Sequence, residues 1–457
     1  MPDKKPQLEF ELGFESEAGS ASPPPKVKVM KKDSVRGRKR EEAEPVVRNA
    51  PLTLDELVKE LTEFSEFGKS TIVEKFPEEG VDLPVFVNEF WTAKQRAAST
   101  LHEISYRACF KPQLPRFFIE RLTMPGDIVY DPFMGRGTTL LESALMGRTP
   151  CGCDVNPISR ILIESRLDPP QQKDVEERVH SLDLDGAGVV TPDELLVFYH
   201  PKTLRAIGSL RQYFIEKQSA GTLDAIDRWI RTVCTNRLTG HSPGFFSVYT
   251  MPPNQAVSVV SQIKINERRN QTPPERPVAQ IIIKKSRQLL KEVTISDRET
   301  IQKSALKSRL LTGLCDSTPE IKDDSVSLVV TSPPFLNVVD YQTDNWLRCW
   351  FNGVDAKSVP VWQLRNAEKW TAAMTGVFRE LRRILKPGGF VAFEVGEVRK
   401  GKLLMETLVV PAAEAAGLVP RLVLVNDQVF TKTANCWGVD NLRKGTNTNR
   451  IILLQKS

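Results

Sequence analysis

No apolar run in the 457-residue chain approaches the roughly 20 residues needed to span a bilayer. The N-terminus also lacks the apolar core of a signal segment. These two absences exclude an integral membrane role on this reading and predict a cytoplasmic protein. Cysteine is sparse: the seven cysteines are scattered. Cys151 and Cys153 lie close together, but no second Cys or His pair completes a zinc pattern. An odd count at irregular spacing predicts reduced thiols and no metal. No internal repeat is present. The net charge, +6, is only modestly positive. It fits a polyanionic partner without requiring one.

What remains is the composition of a globular protein, 40% hydrophobic and 26% charged. The length suits one large domain with an insertion, or two domains. Residues 1–50 are expected to be a disordered basic tail. They combine Ser20 to Pro25, a basic run from Lys26 to Arg40 and an acidic stretch from Glu41, with too few apolar residues to offset ordering entropy. The basic run reads equally as a phosphate-touching arm or a solubilising tail.

Residues 51–104 read as a helical extension. Apolar spacing predicts one helix within 52–67, started at Thr53 or Asp55, and another over Ala93–Arg107. A third covers Pro115–Leu122, stopped by Pro125 and Gly126. From residue 105 the pattern turns to alternating strands and helices. Ile128–Tyr130 is a strand, Thr138–Met146 a helix, Pro150–Cys153 a strand and Pro157–Ser165 a helix. Such alternation predicts a mainly parallel sheet with helices on its faces. Residues 168–305 interrupt it with amphipathic helical pattern and the loop chemistry of Gly240–Phe246 and Met251–Asn254. Their latter part is strongly basic, with Lys264, Arg268, Arg269, Arg276, Lys284, Lys285, Arg287 and Lys291. The alternation resumes over 306–457. Strands are expected at Ser327–Val330, Phe390–Val395, Leu418–Asn426 and Arg450–Gln455, and helices at Ala367–Leu385 and Leu403–Ala416.

Four strand ends carry chemistry. Asp131, Pro132, Phe133, Met134, Gly135, Arg136, Gly137, Thr138 and Thr139 follow a strand and open a helix. Glycines here let backbone approach a ligand, and the helix start offers free amides. A dinucleotide fingerprint needs a third glycine where Leu140 stands, which argues against a pyrophosphate ligand. Asp154, followed by Asn156, ends the next strand. It is placed to bind ribose hydroxyls, or is simply a loop acid. Asp316 follows the apolar stretch Leu310–Leu314. It is either a partner for an adenine amine or a turn residue. The fourth end is Thr331, Ser332, Pro333, Pro334 and Phe335. Two prolines remove two donors and stop the strand, leaving the Ser332 hydroxyl and backbone carbonyls as acceptors. Two acceptors can turn the delocalised lone pair of an exocyclic base amine out of plane, and Phe335 can stack on a flipped base.

Together these residues resemble the amino-methyltransferase family of DNA modification enzymes, over roughly 105–165 and 310–457. The resemblance implies an α/β, Rossmann-like methyltransferase sheet with a mostly helical insertion. It implies S-adenosylmethionine as cofactor, held by Asp131 to Thr139, Asp154, Asn156 and Asp316. Lys111 and Pro112, in Phe110–Pro115, look like the family's extra cofactor motif. Ser332 to Phe335 match its catalytic segment, (Asp/Asn/Ser)-Pro-Pro-(Tyr/Phe). Ser in the first position is commoner among cytosine-N4 enzymes, so cytosine N4 in double-stranded DNA is the expected target. The enzyme is expected to act alone or with a partner restriction endonuclease. The cofactor motif precedes the catalytic one, as in the subclass with its recognition region between them, although the insertion point is shifted. Residues 168–305 are therefore nominated for DNA recognition, with Arg268, Arg269, Lys284 and Lys285 as contacts. Carbon-5 methylation is disfavoured, because its Cys nucleophile usually follows Pro and the only Pro-Cys, Pro150–Cys151, lies in a predicted strand. Adenine-N6 methylation, methylation of an RNA base amine, and a catalytically silent DNA-binding scaffold are the alternatives.

Overall fold

The computed structural model describes residues 48–457 other than 79, 93–97, 107–108, 187, 252–255, 335–340, 363, 365, 396–403 and 428–447. Most of the expected tail, Phe335 and part of the Met251–Asn254 loop therefore lie outside the described residues.

The described strands are β1 Ile72–Lys75, β2 Pro84–Asn88, β3 Ile128–Asp131, β4 Thr149–Asp154, β5 Arg309–Thr312, β6 Val326–Thr331, β7 Leu385–Val395, β8 Val419–Asp427 and β9 Thr448–Gln455. They form one sheet in the order β1-β2-β8-β9-β7-β6-β3-β4-β5. Strands β7, β6, β3, β4 and β5 pair in parallel, while β9 runs antiparallel between β7 and β8. Central strands of this kind are apolar on both faces because helices cover both. Val129, Leu328, Val330 and Ala392 face one layer, with Leu61, Phe117 and Phe118. Their neighbours Tyr130, Val329, Val391 and Phe393 face the other, with Trp370, Phe378 and Val409. The two-residue alternation of a strand sorts them.

The helices are α1 Leu54–Glu63, α2 Gln113–Leu122, α3 Thr138–Leu145, α4 Pro157–Glu164, α5 Gln172–Ser181, α6 Pro201–Ser219, α7 Ala225–Arg237, α8 Val259–Arg269, α9 Val278–Leu290, α10 Ile295–Ala305, α11 Tyr341–Phe351, α12 Ala367–Ile384 and α13 Glu406–Ala415. Thr53 starts α1 through a capping box with Glu56. The nominated insertion holds α5 to α10. It shares a core with α4 and α11, in which Trp229, Ile282, Leu162 and Leu347 are fully or almost fully buried. Arg231 donates to Asn352 Oδ1 at 2.7 Å, joining α7 to the turn after α11. None of the described helices is long and apolar enough to cross a membrane.

Two expectations for the N-terminal part are corrected. The hairpin β1–β2 occupies ground read as helical, and it extends the sheet through β2 pairing with β8. The helix expected over Ala93–Arg107 is, in its described part, a single 3₁₀ turn at Thr100–His102. Its carbonyls are spent elsewhere. Arg166 takes that of Leu101 at 3.4 Å, Arg136 that of Ile104 at 3.1 Å and Arg348 that of Ser105 at 3.2 Å. A helix needs those acceptors for its own amides.

Candidate active site

The site is built at the C-terminal ends of the parallel strands, the usual ligand edge of an open α/β sheet. β3 ends at Asp131, and the chain turns through Gly135 and Gly137 into α3. Gly137 caps α3 with φ +75°, and a Cβ there would meet the Ile163 side chain at 2.8 Å. Only glycine permits both the conformation and the approach of α3 to α4. Gly135 donates its amide to Asp154 Oδ2 at 2.9 Å, and Asn156 donates to Asp154 Oδ1 at 2.8 Å. Each carboxylate oxygen keeps a further lone pair. The Asn156 side chain accepts from the Ile158 amide at 3.0 Å, which starts α4.

Asp131 acts as a strut between the two main motifs. Its Oδ1 accepts from the Thr331 hydroxyl at 2.6 Å and from the Phe133 amide at 3.0 Å. Burial pushes its carboxyl up to about 7, with the Thr331 and Phe133 bonds pulling the other way. Thr139 of α3 donates to the Val330 carbonyl at 3.0 Å, a second tie to β6.

One pocket brings these ends together. It is lined by Tyr106, Pro132, Phe133, Gly135, Asp154, Val155, Asn156, Gly313, Leu314, Cys315, Ser332, Pro334, Val361 and Trp362. It encloses about 720 Å³ of empty space counting its open mouth. Its floor is tied by the Gly313 amide to the Asp154 carbonyl at 3.0 Å and by the Cys153 thiol to the Gly313 carbonyl at 3.3 Å. Phe133 and Trp362 meet edge to face with centroids 6.2 Å apart. An acid flanked by apolar and aromatic walls fits a nucleoside.

Of the expected cofactor residues, Pro132, Phe133, Gly135, Asp154 and Asn156 line this pocket. Gly137, Thr138 and Thr139 are not in the lining; they begin α3, with both threonines buried. Asp316 is exposed on the turn beyond Cys315 and is not in the lining. Lys111 and Pro112 stand at the start of α2, also outside the lining. Their segment is joined to the glycine loop by Arg136, which donates to the Phe110 carbonyl at 3.4 Å.

Ser332 and Pro334 line the same pocket, and Pro333 is buried between them. The Pro334 carbonyl accepts from Trp370 Nε1 at 3.1 Å. Behind Ser332 lies Glu394 of β7, a residue missed from sequence. It is 6% exposed, accepts from Asn449 Nδ2 at 2.9 Å and is hydrogen-bonded by the Ser332 side chain. Burial raises its carboxyl above the ordinary range, against the pull of Asn449 and Ser332. Tyr106, Gly313 to Cys315 and Trp362 were missed as well.

The nominated DNA contacts divide. Arg268, Arg269 and Lys284 are exposed, and the Arg269 guanidinium stacks 3.7 Å from the Tyr249 ring centre. Lys285 is corrected. It is 7% exposed, donates to Gln288 at 3.2 Å and lies 4.0 Å from Glu103. Burial pushes its amine down to about 8. It belongs to the insertion's interior, where no phosphate reaches.

A family model described as "DNA methylase" matches residues 25–163. The Type II methyltransferase M.BsoBI of Geobacillus stearothermophilus is 25% identical over 297 residues, 58% of this chain and 54% of that protein. M.MjaII of Methanocaldococcus jannaschii is 39% identical over 72 residues, 16% of this chain and 13% of that protein. M.MvaI of Kocuria varians is 30% identical over 98 residues, 21% and 20%. The chain thus spans about half, or less, of the length of these relatives. Among solved structures, TrmN from Thermus thermophilus is 13% identical with a TM-score of 0.30, over 78% of this chain and 52% of that one. Over these stretches the chain is similar to DNA methylases and to Type II methyltransferases.

Proposed function

We propose that this chain is a site-specific DNA methyltransferase that moves a methyl group from S-adenosylmethionine to the exocyclic N4 amine of cytosine. The observation that carries the reading is the shared pocket, in which Ser332 and Pro334 stand on the same wall system as Gly135 and Asp154. Asp154 and the Gly135 turn hold the ribose end of the cofactor, and Phe133 with Trp362 flanks its adenine. When bound, the cofactor supplies an electrophilic methyl on a sulfonium.

The protein's own part is to raise the nucleophilicity of a weak amine. Ser332 donates its hydroxyl proton to Glu394, so the Oγ lone pairs point to the pocket as acceptors. The Pro333 carbonyl is the second acceptor, because Trp370 already occupies that of Pro334. Two acceptors on the two N–H groups orient the lone pair toward the methyl. After transfer the amine is cationic and strongly acidic. Its proton leaves to water, or through Ser332 Oγ to Glu394, whose raised affinity for protons suits the role. The base must leave the duplex to reach this pocket. The Type II naming of the relatives supports a restriction–modification setting, with a cognate endonuclease as partner.

The test is to incubate the protein with labelled S-adenosylmethionine and mixed-sequence DNA or RNA, digest to nucleosides and identify the labelled one. N4-methyldeoxycytidine is expected. Label in N6-methyladenine overturns the cytosine assignment, label confined to RNA overturns the DNA assignment, and no label leaves a silent scaffold.

A further inference from the structure

Helix α8 buries only Gln262 and Ile265, as few residues as α5 and α10 of the same insertion. One face is fastened down. Gln262 donates to the Tyr249 carbonyl at 3.1 Å, and Asn266 to that of Val197 at 2.8 Å. The opposite face carries Val260, 62% exposed, and Ile263, 40% exposed. Lys264, Glu267 and Arg268 are exposed beside them, at the three- and four-residue spacings that share one helix face. Among the described residues neither Lys264 nor Arg268 is in an ion pair. This face therefore carries two aliphatic side chains, two cations without an ion-pair partner among the described residues, and one acid.

Its position says what it meets. The Ala256 amide donates to the Asp344 carbonyl at 3.3 Å, and Trp346 Nε1 donates to the Val257 carbonyl at 3.2 Å. The segment entering α8 is thus pinned to the first turns of α11, the helix that begins at Tyr341, soon after Ser332. Arg348 of α11 holds the Ser105 carbonyl, next to Tyr106 in the pocket wall. The helix that bears the stripe is thus anchored to α11, which is itself tied to the segment carrying Tyr106.

We propose that the exposed face of α8 docks in the major groove of duplex DNA beside the target base. This rests on the DNA-methyltransferase reading above. A helix fits that groove, and an eleven-residue one is about 16 Å long. Lys264 and Arg268 meet phosphates or guanine edges, Val260 and Ile263 meet thymine methyls, and Glu267 accepts from a cytosine amine. The unpaired cations favour this polyanion over a protein partner.

The experiment uses the full chain and fluorescence anisotropy with a mixed-sequence duplex between 50 and 200 mM salt. Lys264→Ala with Arg268→Ala is expected to weaken binding about tenfold and to flatten the slope of log K against log salt by about 1.8, the loss of two phosphate contacts. Val260→Ser with Ile263→Ser is expected to weaken binding without changing the slope. Lys303→Ala with Lys307→Ala, an equal charge loss on and just after α10, is expected to change neither. Retained S-adenosylhomocysteine binding reports folding in each variant. Wild-type affinity and slope in the α8 cation variant, with DNA methylation intact, overturn the docking proposal alone. An equal loss in the α10 control does the same. A wild-type protein that neither binds nor methylates DNA overturns the functional reading and this proposal with it.

Discussion

The glycine-rich end of the pocket and its Ser-Pro-Pro end are built by different means. At the first, partners lie close in sequence or on the adjoining strand. Asp154 takes amides from Gly135 and Asn156, Asn156 caps its own helix, and Gly137 leaves room for Ile163. At the second, the group that shapes Ser332 comes from another part of the chain. Glu394 stands on β7 and is itself held by Asn449 on β9. The first end is a surface fixed by backbone. The second is a chain of side-chain hydrogen bonds with a titratable group at its far end. A carboxylate is kept there despite its desolvation cost, whereas an apolar residue would pack more cheaply in the middle of a sheet.

Three changes probe this contrast, beginning with the largest effect. Gly137→Val is expected to abolish measurable cofactor binding. A left-handed residue costs about 1–3 kcal/mol before the collision with Ile163 is added. Calorimetric titration with S-adenosylhomocysteine checks it, and near-normal affinity would show that backbone geometry does not govern this end.

Glu394→Gln should leave cofactor binding intact and lower the methyl-transfer rate about 10- to 100-fold, in the lower range of acid–base contributions. In the wild type the rate should rise with pH through a carboxyl value above the ordinary range, and the glutamine variant should lose that rise. The stability effect has the opposite sense. The folded state holds the Glu394 proton more tightly than the unfolded chain, so its contribution is present at low pH and is lost as pH rises through the raised value. The variant should therefore melt no lower than wild type at neutral pH. A pH profile identical to wild type would break the relay.

Asp131→Asn is expected to be the mildest. Its amide oxygen still accepts from Thr331 and Phe133, so cofactor affinity should change by about fivefold or less, the worth of one neutral hydrogen bond. With its carboxyl at about 7 when folded, against 3.8 ordinarily, Asp131 loses stabilisation as pH climbs between those values. The variant should match or exceed the wild-type melting temperature at pH 8. A large loss of affinity would make Asp131 a ligand contact rather than a strut.

The same contrast decides what was legible in the sequence. Strand, glycine turn and helix are local patterns, so β3 to α4 and the end of β6 were readable, and several residues picked there line one pocket. The hairpin was not. Ile72–Lys75 is exposed along its length and exists as a strand only through pairing with β2. The failed helix before Arg107 depended on arginines distant in sequence. Lys285 left a readable signal, because it shares a helix face with Ile281, Ile282 and Leu289, all buried. So did Glu394, an acid inside the apolar run Phe390–Val395. Tyr106 left none, because the helical spacing read over Ala93–Arg107 hid the irregular segment that carries it.

The most direct test compares wild type with Ser332→Ala, measuring S-adenosylhomocysteine affinity and the single-turnover rate of methyl transfer to DNA in the same preparations. Affinity should stay within about threefold, less than the worth of one hydrogen bond, while the rate falls about 100-fold or more, as when a donor or acceptor acting on the transition state is removed. An unchanged rate would contradict the assignment of the chemistry to the end of β6.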